Sequence, residues 1–133
     1  MLRNSHVVLP LTRGELTVVG VGDRTTGHAD VDRAFHRVTR PNRALVLAHH
    51  PKSADRIMAR GGRLVLAGHT HGGQIAIPGV TRALARACGL RYLSGWYDVG
   101  PGRLYVSPGV GSAVIGLRLG DRAAPEAAVL DLC

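Results

Sequence analysis

The stretch ALVLAHHPKSADRIMARGGRLVLAGHTHGG, residues 44–73, decides the fold. It holds two continuous apolar runs, Ala44 to Ala48 and Leu64 to Ala67. Runs without polar alternation mark strands buried on both faces, as in the centre of a sheet covered by helices. Between them Ser53 is the expected cap of a short helix carrying Ile57 and Met58, and Gly61-Gly62 stops it. A strand, a helix and a second strand over this length fit a right-handed crossover. The two strands are therefore expected to lie parallel, with Ala48 and Ala67 at the same edge of the sheet.

Upstream, Val7 to Pro10 and Glu15 to Val21 are β-rich runs around Thr12-Arg13-Gly14, which reads as a hairpin. A loop from Gly22 to Gly27 follows. Asp30 is then placed to cap a short helix, because Val31, Ala34, Phe35 and Val38 recur at helical spacing until Pro41 ends it. Downstream, Gln74 to Pro78, Arg103 to Ser107, Val114 to Leu119 and Ala127 to Leu132 are expected strands, and Thr81 to Ala87 a short Ala-rich helix. The expected fold class is α/β, with an α+β mixed sheet. Residues 1–133 show no linker, repeat or low-complexity segment, so they are read as a single domain.

With 133 residues, 45% of them hydrophobic, the chain can bury roughly two thirds of the surface it exposes when unfolded and needs no disulfide scaffold. No apolar run approaches the roughly 20 residues of a membrane-spanning helix, and the first residues lack the pattern of a secretory signal. Cys88 and Cys133 have no metal-site spacing, so a reducing, cytoplasmic setting is expected. The net charge of +8 points to an anionic partner, yet the basic residues, all Arg except Lys52, are spread along the chain. With aromatics at 4%, neither a stacking platform nor a recognition helix is visible, which argues against nucleic acid.

Chemistry concentrates in two histidine groups, His49-His50 and His69-Thr70-His71, each directly after one of the two expected parallel strands. In open α/β sheets ligands bind in the crevice beyond the carboxyl ends of strands, so both groups should face one crevice. Imidazole is the commonest zinc ligand and also suits iron, nickel and copper, and three rings converging there would make a metal site. A solvated histidine loop is the competing reading of either group taken alone. His6, His28 and His36 stand apart and read as surface or loop residues.

The segment Leu66-Ala67-Gly68-His69-Thr70-His71-Gly72-Gly73-Gln74 resembles the last metal-binding block of the calcineurin-like metallophosphoesterases, in the form found in a bacterial phosphodiesterase-like branch. Leu45 to His49 followed by Pro51 is similar to that family's preceding strand and ligand histidine. Gly95-Trp96-Tyr97, Leu104 to Gly111, Leu117-Arg118-Leu119 and Pro125-Glu126 resemble its tail. Leu2-Arg3-Asn4 and Val18 to Asp23 resemble its middle region.

The resemblance implies hydrolysis of a phosphate mono- or diester by a hydroxide activated by two divalent ions of Mn, Zn or Fe. Carried over by position, His49 and His69 bind one ion and His71 the other, whereas His50 is not a family ligand. Gly72 and Gly73 let the backbone approach the metals or the substrate phosphate, and Gln74 anchors the next strand. The family's Asp-x-His, bridging Gly-Asp and Asn-His blocks are absent from these residues, and Gly22-Asp23 sits in a different context, so Asp23 is read as a loop residue. The implied fold is a partial β-sandwich with flanking helices, the carboxyl-terminal half of a phosphoesterase domain whose amino-terminal half is absent. Such a piece leaves an apolar face uncovered, needs the missing half or a complementing chain for its carboxylates, and is expected to be inactive alone. Any membrane attachment would come through the absent part. A catalytically inactive metal-binding or interaction fragment using the same histidines is the alternative, and a basic module for nucleic acid or anionic lipid a third reading.

Overall fold

Two outer hairpins flank a parallel centre. Strands β1 (Ser5–Leu11) and β2 (Gly14–Val21) pair antiparallel, as do β5 (Gly95–Val99) and β6 (Gly102–Val106). Between these hairpins β3 (Leu45–Ala48) and β4 (Leu64–Ala67) complete a six-stranded mixed sheet in the order β1-β2-β3-β4-β6-β5. This computed structural model describes residues 1–73, 80–111, 120 and 123–132. The expected strands at residues 74–78 and 114–119 lie outside the described residues.

The expected parallel pair is present, with Leu45 opposite Leu64 and Ala48 opposite Ala67. Helix α2 (Ala54–Ala59) makes the crossover, and α1 (Val31–Ala34) lies against β1 and β2, linked to α2 by the Arg56–Asp32 ion pair at 2.6 Å. Asp30 caps α1 as expected, its carboxylate accepting from the Arg33 N–H at 2.9 Å. That helix is one turn long, ending at Phe35 with ψ near 0 and followed by Arg37 at φ +63, yet Phe35 and Val38 still pack on the core. Ser53 makes no capping bond, which corrects the expectation. Pro51 starts a 3-10 turn three residues ahead of α2, so the capping position falls on His50, whose Nδ1 accepts from the Lys52 N–H at 3.1 Å. Helix α3 (Val80–Ala87) matches its expected range within one residue.

The core lies on one face of the sheet. Val19, Val46, Val65, Leu104 and Val106 meet Ala34, Phe35 and Ile57 there, most of them fully buried. Alternating burial along β3 and β4 corrects the expectation that both faces are covered. On the second face Leu47 stays 41% exposed and Trp96 42%. Part of that face is reached by the tail, where Leu130, Asp131 and Leu132 line a concavity with Leu16, Leu45, Leu64 and Trp96.

The tail is not the strand expected over residues 127–132. Its Glu126 N–H bonds the Gly109 carbonyl at 3.0 Å and its carboxylate accepts from the Tyr105 hydroxyl, which turns the chain over the sheet instead of alongside an edge. Strand β5 was not expected from sequence. Its Trp96-Tyr97 pair ahead of the Gly100-Pro101 turn was the available signal.

Leu104 is fully buried in this core. Leu104→Ala is expected to lower unfolding stability by about 2–5 kcal/mol in urea denaturation, since the rigid sheet around it cannot collapse onto the cavity. A loss under about 1 kcal/mol would show that the site is not packed as described.

Candidate metal centre

Parallel pairing sets the site. Val21, Ala48, Ala67 and Val106 stand side by side in register, so the chain after each strand emerges at one edge. The ladder continues past the strands, with the Gly68 N–H donating to the His49 carbonyl at 3.1 Å and the Ser107 N–H to the Ala67 carbonyl at 2.8 Å. Gly68 is therefore tied to His49 by a backbone hydrogen bond before any ligand acts, and Gly22-Asp23 leaves the sheet beside them, directly after the Val21–Ala48 pair.

His49 and His69 meet. His69 Nδ1 lies 3.1 Å from His49 Nε2, with the rings edge to face and their centroids 5.0 Å apart. One ring donates and the other accepts. Both nitrogens are close enough to reach one cation at ordinary metal–nitrogen distances of about 2.0–2.1 Å, provided the donor ring moves its proton to its other nitrogen. His71 turns another way, its Nδ1 lying 3.1 Å from the Gly111 carbonyl. A carbonyl only accepts, so Nδ1 is the donor in this contact, the bracing also seen in metal-ligating histidines held by a carbonyl. Among the described residues no three His, Cys, Asp or Glu side chains close on one point, so the donors form a pair and a neighbour.

The second loop reaches this geometry through unusual backbone. His69 has φ +71 and His71 φ +49, followed by Gly72 at +64 and Gly73 at +88. Glycine suits the last two, but the histidines are strained there by roughly 1–2 kcal/mol each. Bonds on both sides hold the turn, Thr70 Oγ1 to the Leu93 carbonyl and the Gly73 N–H to the Thr70 carbonyl at 2.8 Å. A side chain at Gly73 would also meet Thr81 Cγ2 at 3.0 Å.

Three further residues border the site, none of them an expected ligand. His50, tied by its cap bond, lays its ring over His69 at 4.5 Å between centroids. The Gly111 carbonyl braces His71, and no sequence signal distinguishes it. Asp23 bonds the Thr25 N–H at 2.9 Å, a loop role as expected, yet it also stands close enough to His49 and His69 for their charges to act on it. The Thr25 N–H chiefly holds its carboxyl below the usual range. The strand-end register was the signal that brings Asp23 here. Partial burial of the ring, and then the charge of His49, lowers the pKa of His69, and burial followed by His69 does the same for His50.

The chain is 36% identical over 132 residues to the protein named phosphodiesterase YaeI of Escherichia coli (strain K12), which covers 99% of this chain and 47% of that protein. It is 30% identical over 131 residues to the uncharacterized metallophosphoesterase YkuE of Bacillus subtilis (strain 168), covering 98% of this chain and 45% of that one. A Bos taurus protein named transmembrane protein with metallophosphoesterase domain is 37% identical over 102 residues, 74% of this chain and 22% of its own length. The chain thus spans about half the length of the first two relatives. No protein-family model and no solved structure matches it.

Imidazole titrations followed by NMR are expected to give midpoints below 6.5 for His50 and His69 in the absence of metal. The fold favours their neutral rings, so stability is full above 6.5 and falls as the pH drops through the lowered midpoints. Midpoints at or above 6.5 would mean that neither ring is withdrawn from water.

Proposed function

Since this chain belongs to the metallophosphoesterase family, as the carboxyl-terminal half of such a protein, we propose that it contributes the histidine ligands of a phosphate-ester hydrolase. The donor set fits divalent cations: neutral imidazoles at one sheet edge, two of them within 3.1 Å. That pairing of His49 with His69 is the observation that carries the reading. In it, those two rings hold one ion and His71, braced through Nδ1 by Gly111, offers Nε2 to a second. Divalent ions, when bound, supply the positive charge that acidifies water and neutralises phosphoryl oxygens during in-line attack.

The chain's own residues then position. The strand-end hydrogen bonds fix His49 against His69, and the left-handed turn at Gly72-Gly73 brings backbone, unshielded by side chains, toward the phosphate. The carboxylates come from the amino-terminal half or a complementing chain, so the 133-residue chain alone is inactive. The substrate is a phosphate mono- or diester, and the setting is cytoplasmic. Relatives from cattle and zebrafish carry the word transmembrane in their names, which supports membrane association of the assembled enzyme. Among the described residues no helix is long and apolar enough to cross a membrane.

The test joins this chain to an amino-terminal half carrying Asp-x-His and Gly-Asp and assays bis-p-nitrophenyl phosphate and p-nitrophenyl phosphate with manganese. Turnover is expected only for the joined protein, and His69→Ala should reduce kcat at least about 100-fold. Absence of metal-dependent turnover in the joined protein would overturn the assignment. Turnover unaffected by His69→Ala would remove the histidines from it.

A further inference from the structure

Arginines that look scattered in sequence are gathered by the fold. Strand β1 is one edge of the sheet, and its residues His6, Val8 and Pro10 point to the helix-covered side. Two concavities follow one another along that side. The first, about 910 Å³, is lined by His6 with Arg33, Arg37 and Arg60, and the second, about 760 Å³, by Val8 and Pro10 with Arg13, Arg40 and Arg43. Strand residues two apart share a face, so these form one furrow along β1.

The furrow carries unmatched charge. Arg60 is paired with Asp32, which also holds Arg56. Arg13, Arg33, Arg37, Arg40 and Arg43 are all exposed and make no side-chain hydrogen bond or ion pair among the described residues. Glu15 is the one carboxylate lining the furrow besides Asp32. Five exposed guanidiniums against two carboxylates, one of them already paired with Arg60, give the furrow a positive potential that draws anionic surfaces.

The same edge exposes apolar side chains. Val7, Val8, Leu9 and Leu11 are 37%, 47%, 42% and 55% exposed, projecting on both sides of the strand beside the arginines. Phe35 in the first concavity is 9% exposed, the imidazoles of His6 and His36 lie there too, and the second concavity, with Arg13, Arg40 and Arg43, has no ring on which a base could stack. Guanidiniums that bind phosphate oxygens next to short aliphatic side chains match the boundary between headgroups and acyl chains of a bilayer.

We propose that the β1 furrow is a peripheral docking surface for anionic phospholipid, binding headgroup phosphates through Arg13, Arg40 and Arg43 while the strand edge enters the interface, Val8 on the furrow side and Leu9 and Leu11 on the other. It lies on an edge strand, separated by β2 from the histidine-bearing end of β3, and the inference does not depend on the hydrolase reading.

Sedimentation of the full chain with phosphatidylcholine vesicles carrying about a quarter phosphatidylglycerol tests it directly, against vesicles of phosphatidylcholine alone. Binding is expected to the anionic vesicles only, and to weaken steeply with added salt. Each arginine near such a surface strengthens binding by roughly fivefold, so Arg40→Glu with Arg43→Glu should weaken it more than about 20-fold. A double reversal at Arg24 and Arg91, outside the furrow, serves as the charge-matched control, with circular dichroism confirming that both variants fold. Equal binding to neutral vesicles, or equal losses in the two variants, would overturn the proposal. So would a duplex DNA that competes the chain off the vesicles through the same arginines at lower concentration than the lipid, which would assign the furrow to nucleic acid.

Discussion

Parallel pairing of β2, β3, β4 and β6 with their last residues in a row is the constraint from which the rest follows. A one-residue slip of β4 against β3 would turn Val65 from the core to the open face and swing His69 away from His49. The slip is resisted because Val46 and Val65 are both fully buried and Ala48 and Ala67 lie nearly so, leaving no room for the leucines between them to turn inward. Small residues at the two strand ends also let the following loops approach. The hydrogen bond from Gly68 to His49 then carries the strand geometry directly into the histidines.

That rigidity explains how a strained loop persists. His69 and His71 both sit in left-handed backbone, a conformation an Asn or Gly would adopt with less penalty. Hydrogen bonds made in this conformation, from Thr70 to Leu93 and from Gly73 to Thr70, offset the penalty. Turning each side chain through the left-handed region aims neighbouring rings in different directions, one at His49 and one at Gly111. In an extended chain, residues 69 and 71 would share a side. The departure from that simple expectation separates the donors into a pair and a single ring.

The hairpin, the parallel pair and the shared edge were legible in the sequence because each rests on local pattern: β-rich runs around a Gly turn, apolar runs, and a crossover of sufficient length. What was not legible rests on tertiary placement. Leu-Val-Leu-Ala reads as buried on both faces, since the leucines are as apolar as the valines, and only the packed structure shows which parity meets the helices. The capping role of His50 was hidden because Ser53 offers the commoner capping side chain, and Pro51 shifts the turn ahead of it. The tail carries strand-like composition but is diverted by Glu126 meeting Tyr105. Burial, and then that hydrogen bond, push the Tyr105 phenol up to about 12. The gathering of Arg13 with Arg40 and Arg43 could not be read from spacing either, because it requires the hairpin turn to fold beside the connection into β3.

Charge decides what the histidine edge can hold. Two divalent ions about 4 Å apart repel by about 16 kcal/mol at an effective dielectric constant of 20, a cost that neutral imidazoles do not remove. Their lone pairs favour each ion separately, but only negative ligands screen one ion from the other. Among the described residues Asp23 is the carboxyl group whose charge is felt by His49 and His69, and it is already engaged by Thr25. One such carboxylate against four positive charges leaves the pair far from neutral. In the proposed centre the His49–His69 pair alone would therefore suit one ion and not two. A dinuclear centre on this edge would require further carboxylates, and the histidines, positioned in advance by the ladder, would contribute geometry more than charge.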